Sequence, residues 1–257
     1  MKQISVVIPV RNEAENIRPL LSGIAEALAD IPYEVVFVDD STDNTPDIIR
    51  EAASKSSAVI KLEHREGQSG LSSAVLRGFQ LAEGDFIAVM DADLQHPPSL
   101  LRSMYCAMLC GADICLPSRR ISGGSDGGLK GIRGLISVSA ANMGKLMVAR
   151  LRPLSDPTGG LFMVRRELLR NAKIKPMGWK IMAEVVSVCP CKRIIEIPYA
   201  FQQRNSGKSK ISMKVTLEYI RQLFSLLARQ QKGRIQVERW APQQISDSLL
   251  KMEGAKL

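Results

Sequence analysis

Phe86-Ile87-Ala88-Val89-Met90-Asp91-Ala92-Asp93-Leu94-Gln95-His96-Pro97 is the stretch on which the reading of this chain turns. Its five leading apolar residues have the length and make-up of a strand buried on both faces, and the run stops on two carboxylates one residue apart. Alternate residues of an extended chain point the same way, so Asp91 and Asp93 converge on one divalent ion if the backbone stays extended past the strand end. Mg²⁺ and Mn²⁺ take oxygen ligands of this kind and complete their shells with phosphate oxygens and water. Open parallel sheets also gather ligands at the carboxyl ends of their strands. The stretch reads as a metal and diphosphate site, with an ordinary acidic loop as the plain alternative.

The design repeats on either side. Ile4 to Val10 is a β-branched run that ends in Arg11-Asn12-Glu13, and Asn12 can cap a helix carrying Ile17, Leu20, Leu21, Ile24 and Leu28 at helical spacing. Tyr33 to Ser41 is a second strand that stops on acids, with Pro46 in the first turn of the next helix. Val59 to Leu62 is a weaker strand. The loop Gly67 to Gly70 then enters a helix Ser72 to Ala82, either presenting backbone N–H groups to a phosphate or base or making a plain turn. Pro97-Pro98 opens a helix to about Cys110, and Ala112 to Pro117 is a strand ending at Ser118-Arg119-Arg120. Strands alternating with helices predict a mostly parallel, nucleotide-binding α/β sheet with helices on both faces.

Past Ser122 to Gly128, a linker in composition, Leu135 to Leu151 is rich in small and apolar residues, with Lys130, Arg133, Lys145, Arg150 and Arg152 in or beside it. Such a helix suits a membrane interface or an ordinary packed position equally. Ser155 to Gly160 reads as a turn, Leu161 to Val164 as a strand, Trp179 to Val188 as a helix carrying Glu184, and Arg193 to Pro198 as a further strand. The cationic segment Arg204 to Lys210 fits a loop closing over phosphates or a solvated basic turn. Ile211 to Arg229 is an amphipathic helix, and residues 230–257 form a polar tail expected to be loose.

The chain has 257 residues, enough for one large domain, and is 45% hydrophobic but only 5% aromatic. That composition excludes disorder, and the lack of an 18-residue uncharged apolar run argues against a transmembrane helix. The chain enters a strand by Ile4 with no leader-like segment, so a cytoplasmic location is expected. A net charge of +9 points to an acidic partner. Few aromatics and no known motif weigh against nucleic acid. The five cysteines lack zinc-ribbon spacing and read as inert free thiols.

Taken in order, Ile8-Pro9-Val10-Arg11-Asn12-Glu13, Val38-Asp39-Asp40-Ser41, Gly70-Leu71-Ser72-Ser73-Ala74, Asp91 to Pro97 and Arg204 to Lys210 resemble the family 2 inverting glycosyltransferases of the GT-A fold. Asp-Ala-Asp-Leu-Gln-His-Pro with a later Arg…Gly-Lys-Ser-Lys is similar to the polyprenol (dolichol) phosphate mannosyl- or glucosyltransferase branch. The resemblance runs from about Ile4 to Leu227. It implies a catalytic domain over residues 1–229, with a nucleotide-binding half to residue 120 and an acceptor half from 121. Pro9, Arg11, Glu13, Val38 and Asp40 are then expected at the nucleoside, and Asp91, Ala92, Asp93 and Gln95 at the metal and diphosphate. Arg119, Arg133, Arg204 and Lys210 are expected at the phosphates of donor or acceptor. Arg11 departs from the branch, where many members carry an aromatic residue.

The implied reaction moves a hexose from GDP-mannose or UDP-glucose to a polyprenyl phosphate with Mg²⁺ or Mn²⁺ assistance. A nearby anionic membrane surface, or a small membrane-anchoring subunit, would hold the protein on the cytoplasmic face of a membrane. A phosphate monoester is already an anion near neutral pH and needs no catalytic base. A saccharide or protein hydroxyl would need one, and Glu184 and Asp156 are the placed candidates. A nucleotide-sugar-binding subunit without turnover is disfavoured because the strand-end acids are present.

Overall fold

The computed structural model describes residues 2–68, 70–127, 132–175, 177–202 and 213–254. Its strands are β1 Ile4–Val10, β2 Tyr33–Asp39, β3 Val59–His64, β4 Phe86–Val89, β5 Ile114–Ser118, β6 Phe162–Arg165, β7 Arg193–Pro198 and β8 Gln236–Arg239. They form one sheet in the order β3-β2-β1-β4-β6-β5-β7-β8, parallel throughout except for β6, which runs antiparallel to both β4 and β5. The helices are α1 Ala14–Ala27, α2 Thr45–Lys55, α3 Leu71–Leu81, α4 Leu100–Leu109, α5 Ile132–Met147, α6 Arg166–Leu169, α7 Ile181–Val188, α8 Met213–Arg229 and α9 Pro242–Gly254.

The expected mostly parallel α/β sheet with helices on both faces is what the chain builds. Alternation along β2 shows why both faces are apolar: Val35 and Phe37 join one buried cluster with Ile17, Leu20 and Met104, while Val36 and Val38 join another with Val75, Val185 and Leu223. The first cluster lies under α1, α2, α4 and α9, and the second under α3, α7 and α8. Parallel register sets Val10, Asp39 and His64 side by side at the carboxyl ends of β1, β2 and β3.

Several local expectations are corrected. Asn12 does not cap α1, whose cap position is Glu13, and no side-chain hydrogen bond closes that helix end. Pro97-Pro98 precedes α4, which starts at Leu100. The tail from residue 230 is not loose over its described part. Arg239 pairs with Glu196 in the sheet, Trp240 is buried, and α9 packs on α4. Its packed apolar residues Ile235, Val237, Trp240, Ile245 and Met252 are few among polar neighbours, although Ile245, Leu249 and Met252 do recur at helical spacing.

The approach of α3 to the central strand depends on Gly78. A Cβ at that position would sit 2.2 Å from Val7 Cγ1, and Val7 is wholly buried between its neighbours. Gly78→Ala improves helix propensity but overpacks this contact, so chemical denaturation should show a loss of about 1–3 kcal/mol. Adding Val7→Ala should recover part of that loss, whereas strictly additive effects would place the strain elsewhere.

Candidate active site

The loops leaving β1, β2, β3 and β4 meet at one edge of the sheet, and those after β1, β2 and β3 are tied together. The Asn12 N–H donates to Ser41 Oγ at 2.8 Å, and Asn12 Oδ1 accepts the Thr42 N–H at 2.8 Å. The Glu13 N–H donates to Thr45 Oγ1 at 3.1 Å. Asn12 has φ 59°, as does Leu94 in the loop after β4, and these are the non-glycine residues with positive φ among those described. Backbone held in that region is costly and gathers at sites where the surroundings over-determine it.

Asp39 and Asp40 turn opposite ways. Asp39 accepts from the Ser41 N–H and hydroxyl, and its Oδ2 lies 2.6 Å from His64 Nδ1. Asp40 takes the fork of Arg65, Nε to Oδ1 and Nη2 to Oδ2 at 2.7 Å each, and also the Gly70 N–H at 3.2 Å. The bidentate ion pair is buried and pins the loop that enters α3. Sequence reasoning missed Arg65, although it carries the same signal as the acids, a polar residue just past a strand's carboxyl end.

Past β4 the backbone does not remain extended. It turns at Ala92-Asp93, Leu94 is left-handed, and Asp93 Oδ1 accepts the Gln95 N–H at 3.1 Å. Convergence of Asp91 and Asp93 by strand alternation is therefore corrected, because the turn and not the pleat orients them. Asp91 is partly exposed and Asp93 buried. Gln95 is clasped by Gln202, whose N–H donates to the Gln95 carbonyl at 3.0 Å and whose carbonyl accepts from Gln95 Nε2 at 3.4 Å.

Arg119, the first residue past β5, forms the opposite wall. Its Nε and Nη2 reach Asp156 Oδ2 at 2.8 and 2.7 Å, and its guanidinium lies 5.2 Å over the Phe201 ring. Burial works to raise the Asp156 pKa, yet the charge and hydrogen bond of Arg119, with Arg120 and Thr158, hold it below the usual carboxylate value. Lys180, just before α7, donates to the Thr158 carbonyl at 2.9 Å; burial pushes its pKa down while Asp156 and Asp91 oppose the shift. Burial also pulls His96 down to about 4, so the imidazole is neutral near pH 7. Its ring packs 5.3 Å from Tyr199 and 5.4 Å from Phe201. Sequence reasoning gave no role to His96 or Lys180. Lys180 carried no motif.

The donor set suits a hard cation, since two carboxylates and a carboxamide lie within one turn. Gly160 leaves room beside them: a Cβ there would lie 2.9 Å from Asp91 Oδ2 and 3.5 Å from His96 Nε2. Among the described residues no group of three or more His, Cys, Asp or Glu forms a ready cage. An ion held here would therefore share its shell with phosphate oxygens and water.

The remaining expected residues divide. Pro9 and Glu13 are half-buried and Arg11 exposed at the same edge. Val38 and Ala92 are buried, so any contact they make with a nucleoside comes from backbone. Arg133 belongs to α5, but its side chain lies outside the described residues, as do Arg204 and Lys210 altogether. Glu184 is fully buried, accepts the Lys175 N–H at 3.0 Å and pairs with Arg229 at 2.7 Å. It ties α7 to α8.

The family model for Glycosyl transferase family 2 matches residues 5–172. The chain belongs to that family. It is 38% identical over 226 residues to the dolichol-phosphate mannosyltransferase of Pyrococcus furiosus, an alignment covering 88% of this chain and 64% of that protein. This family 2 chain thus spans less than two thirds of that relative's length. It is 33% identical over 237 residues to the dolichol-phosphate mannosyltransferase of Saccharomyces cerevisiae, covering 87% and 86%. Among solved structures, glucosyl-3-phosphoglycerate synthase from Mycobacterium tuberculosis in complex with Mn²⁺, UDP-glucose and phosphoglyceric acid superposes with a TM-score of 0.64 at 19% identity. That match covers 90% of this chain and 82% of the synthase. It shows the shared GT-A fold.

The space at Gly160 can be tested directly. Its backbone conformation admits an L side chain, so Gly160→Ala should keep the wild-type melting temperature while crowding Asp91. Misplacing a group by about an ångström at a reacting centre costs roughly 100-fold, and a fall in kcat/KM of that order is expected. Full activity in a well-folded variant would move the ligand away from Gly160.

Proposed function

We propose that this family 2 glycosyltransferase transfers a hexose, mannose from GDP-mannose, to a polyprenyl (dolichyl) phosphate with inversion at the anomeric carbon. The observation that carries the reading is the state of the candidate bases. Asp156 is committed to Arg119 and held ionised by it, and Glu184 is sealed between α7 and α8. A hydroxyl acceptor would find neither of these two carboxylates free to act as its base, while a phosphate monoester needs none because its own oxygen attacks as an anion. The names of the Pyrococcus and Saccharomyces relatives support the same acceptor and sugar.

In this reading Asp91, Asp93 and Gln95 hold a divalent cation, which when bound neutralises charge on the diphosphate leaving group. Pro9, Arg11, Glu13, Asp40 and the backbone at Val38 and Ala92 frame the nucleoside, and Arg204 and Lys210 serve the phosphates. Arg119 offers its remaining Nη1 edge to the acceptor phosphate, with Asp156 fixing the fork and Phe201 its plane. Arg133 assists from α5. Attack then comes from the face opposite the diphosphate, which inverts the configuration.

A donor screen with a short polyprenyl phosphate tests this. Turnover with GDP-mannose, lost in Asp93→Ala and in EDTA, is the expected result. Turnover with UDP-glucose alone would change the donor, and transfer to a sugar hydroxyl in place of the lipid phosphate would overturn the acceptor.

We further propose that the protein works peripherally at the cytoplasmic face of a membrane, with or without an anchoring subunit. Among the described residues no helix is long and apolar enough to cross one. The packed pair α5 and α8 instead exposes Val138, Leu146, Leu217, Phe224 and Leu227. Arg150 is excluded from the basic residues first assigned to this surface, since it is buried and donates to the carbonyls of Val186, Cys189 and Cys191. Arg152 remains exposed, and each such cation near an anionic surface contributes about 1 kcal/mol. Flotation with anionic vesicles should recover the wild type at low salt and lose the Leu146→Glu/Phe224→Glu variant. Equal flotation of both would place the contact elsewhere.

A further inference from the structure

The side chain that grips the acceptor phosphate in the reading above does not stand by itself. Arg119 is fixed at two points, and both lead to Ser155-Asp156. Its guanidinium binds Asp156 Oδ2 at 2.7–2.8 Å. Its backbone is framed by Ser118, whose Oγ accepts the Arg120 N–H at 3.1 Å and lies 2.6 Å from Ser155 Oγ. Ser155 is in turn hung on the buried carboxylate of Glu196, donating to Oε1 from its N–H at 2.7 Å and from its hydroxyl at 2.8 Å.

The other oxygen of Glu196 belongs to the C-terminal strand. Arg239 Nε donates to Glu196 Oε2 at 3.0 Å, and Arg239 Nη2 donates to the Pro153 carbonyl at 2.7 Å. Both contacts follow from register, since Arg239 lies directly across from Glu196 in the parallel pair of β7 and β8. The adjacent Trp240 N–H closes the pair by donating to the Glu196 carbonyl at 2.9 Å. One guanidinium thus spans both ends of the segment 153–156 that carries Asp156. Neither Arg239 nor Glu196 touches the site edge itself.

We infer that Arg239 is a positioning residue for Arg119. Acting through Glu196 and the Pro153 carbonyl, it sets the place of Ser155-Asp156 and so the aim of the acceptor-phosphate arginine. The inference rests on the reading of Arg119 as an acceptor-phosphate residue. A buried carboxylate with one cationic partner is sensitive to losing it, because the charge is left with two neutral donors. The bonds that join the loops after β1, β2 and β3, Asn12 to Ser41 and Arg65 to Asp40, share no residue with this chain of bonds, so donor binding should not follow.

The test is steady-state kinetics with a short polyprenyl phosphate, together with donor affinity by calorimetry, on Arg119→Gln, Arg239→Gln, Arg239→Lys, Glu196→Gln and Glu196→Gln/Arg239→Gln. Arg239→Gln is expected to lower kcat/KM for the acceptor about tenfold while donor Kd stays within about twofold. Arg239→Lys should restore part of the loss, since an ammonium reaches Glu196 but cannot span to Pro153 as well. In the Glu196→Gln background, removing Arg239 should add little. The double variant leaves no unpaired buried charge and should melt near the wild type while the acceptor defect remains, which answers for Arg239→Gln if that variant proves unstable.

Normal acceptor kinetics in the double variant, or equal losses of donor and acceptor binding, would overturn the inference. If Arg119→Gln leaves acceptor kinetics unchanged, the reading of Arg119 fails and the inference with it. If Arg119→Gln is impaired and the Arg239 variants are not, only the positioning role fails.

Discussion

Parallel pairing of β3, β2, β1 and β4 forces four chain exits onto one edge of the sheet, and the site depends on that constraint. β1, β2 and β4 are buried along most of their length, which leaves little room for charge there, so most of their polar residues fall where each strand stops. Asn12, Asp39, Asp40, His64, Arg65 and Asp91 are all at or just past such stops. The sheet does not choose their chemistry, but it brings them within reach of one another. Bonds between neighbouring exits, Asn12 to Ser41 and Arg65 to Asp40, then join the loops after β1, β2 and β3 into one surface.

The antiparallel strand β6 breaks that series. By entering between β4 and β5 in the reverse sense, it delivers the turn before it, residues 155–160, to the carboxyl edge of its neighbours. Gly160 comes to lie against Asp91, and Asp156 against Arg119. A purely parallel sheet would have sent that turn to the opposite edge. The Arg119–Asp156 pair and the loop carrying Asp91 come to the same edge because one strand is reversed.

What the sequence revealed follows from the reach of each signal. The strands β1, β2, β4 and β7 and the helices between them were legible because burial on both faces writes a continuous apolar run of strand length. Asp91, Asp93 and Arg119 were legible from position at strand ends. The reversal of β6 was not, since Phe162 to Arg165 would look the same in either direction. Asp156 as the partner of Arg119, and Arg239, were hidden for a related reason: each acts by pairing with a residue 37 to 43 positions away. Such pairs are properties of register, which local pattern does not carry. The amphipathic pattern of α8 was read correctly, but its exposed apolar face is set by what does not cover it.

Charge at the site explains why its acids and cations must be read together. Among the described residues the cluster holds Asp91, Asp93 and Asp156 against Arg119 and Lys180, with His96 neutral. Arg120 adds a third positive charge acting on Asp156, so with Lys180 counted as fully charged the acids and cations balance, and the excess of acid is local to Asp91 and Asp93. A diphosphate approaching Asp91 would meet like charge, and at an effective dielectric near 20 one such pair at 4 Å costs about 4 kcal/mol. Arg119 cannot offset this alone, because Asp156 already engages two of its nitrogens. Under the proposed function, a diphosphate placed beside Asp91 would be favoured by added positive charge at that edge. In that reading a divalent ion on the Asp91, Asp93 and Gln95 oxygens would supply two units of charge there.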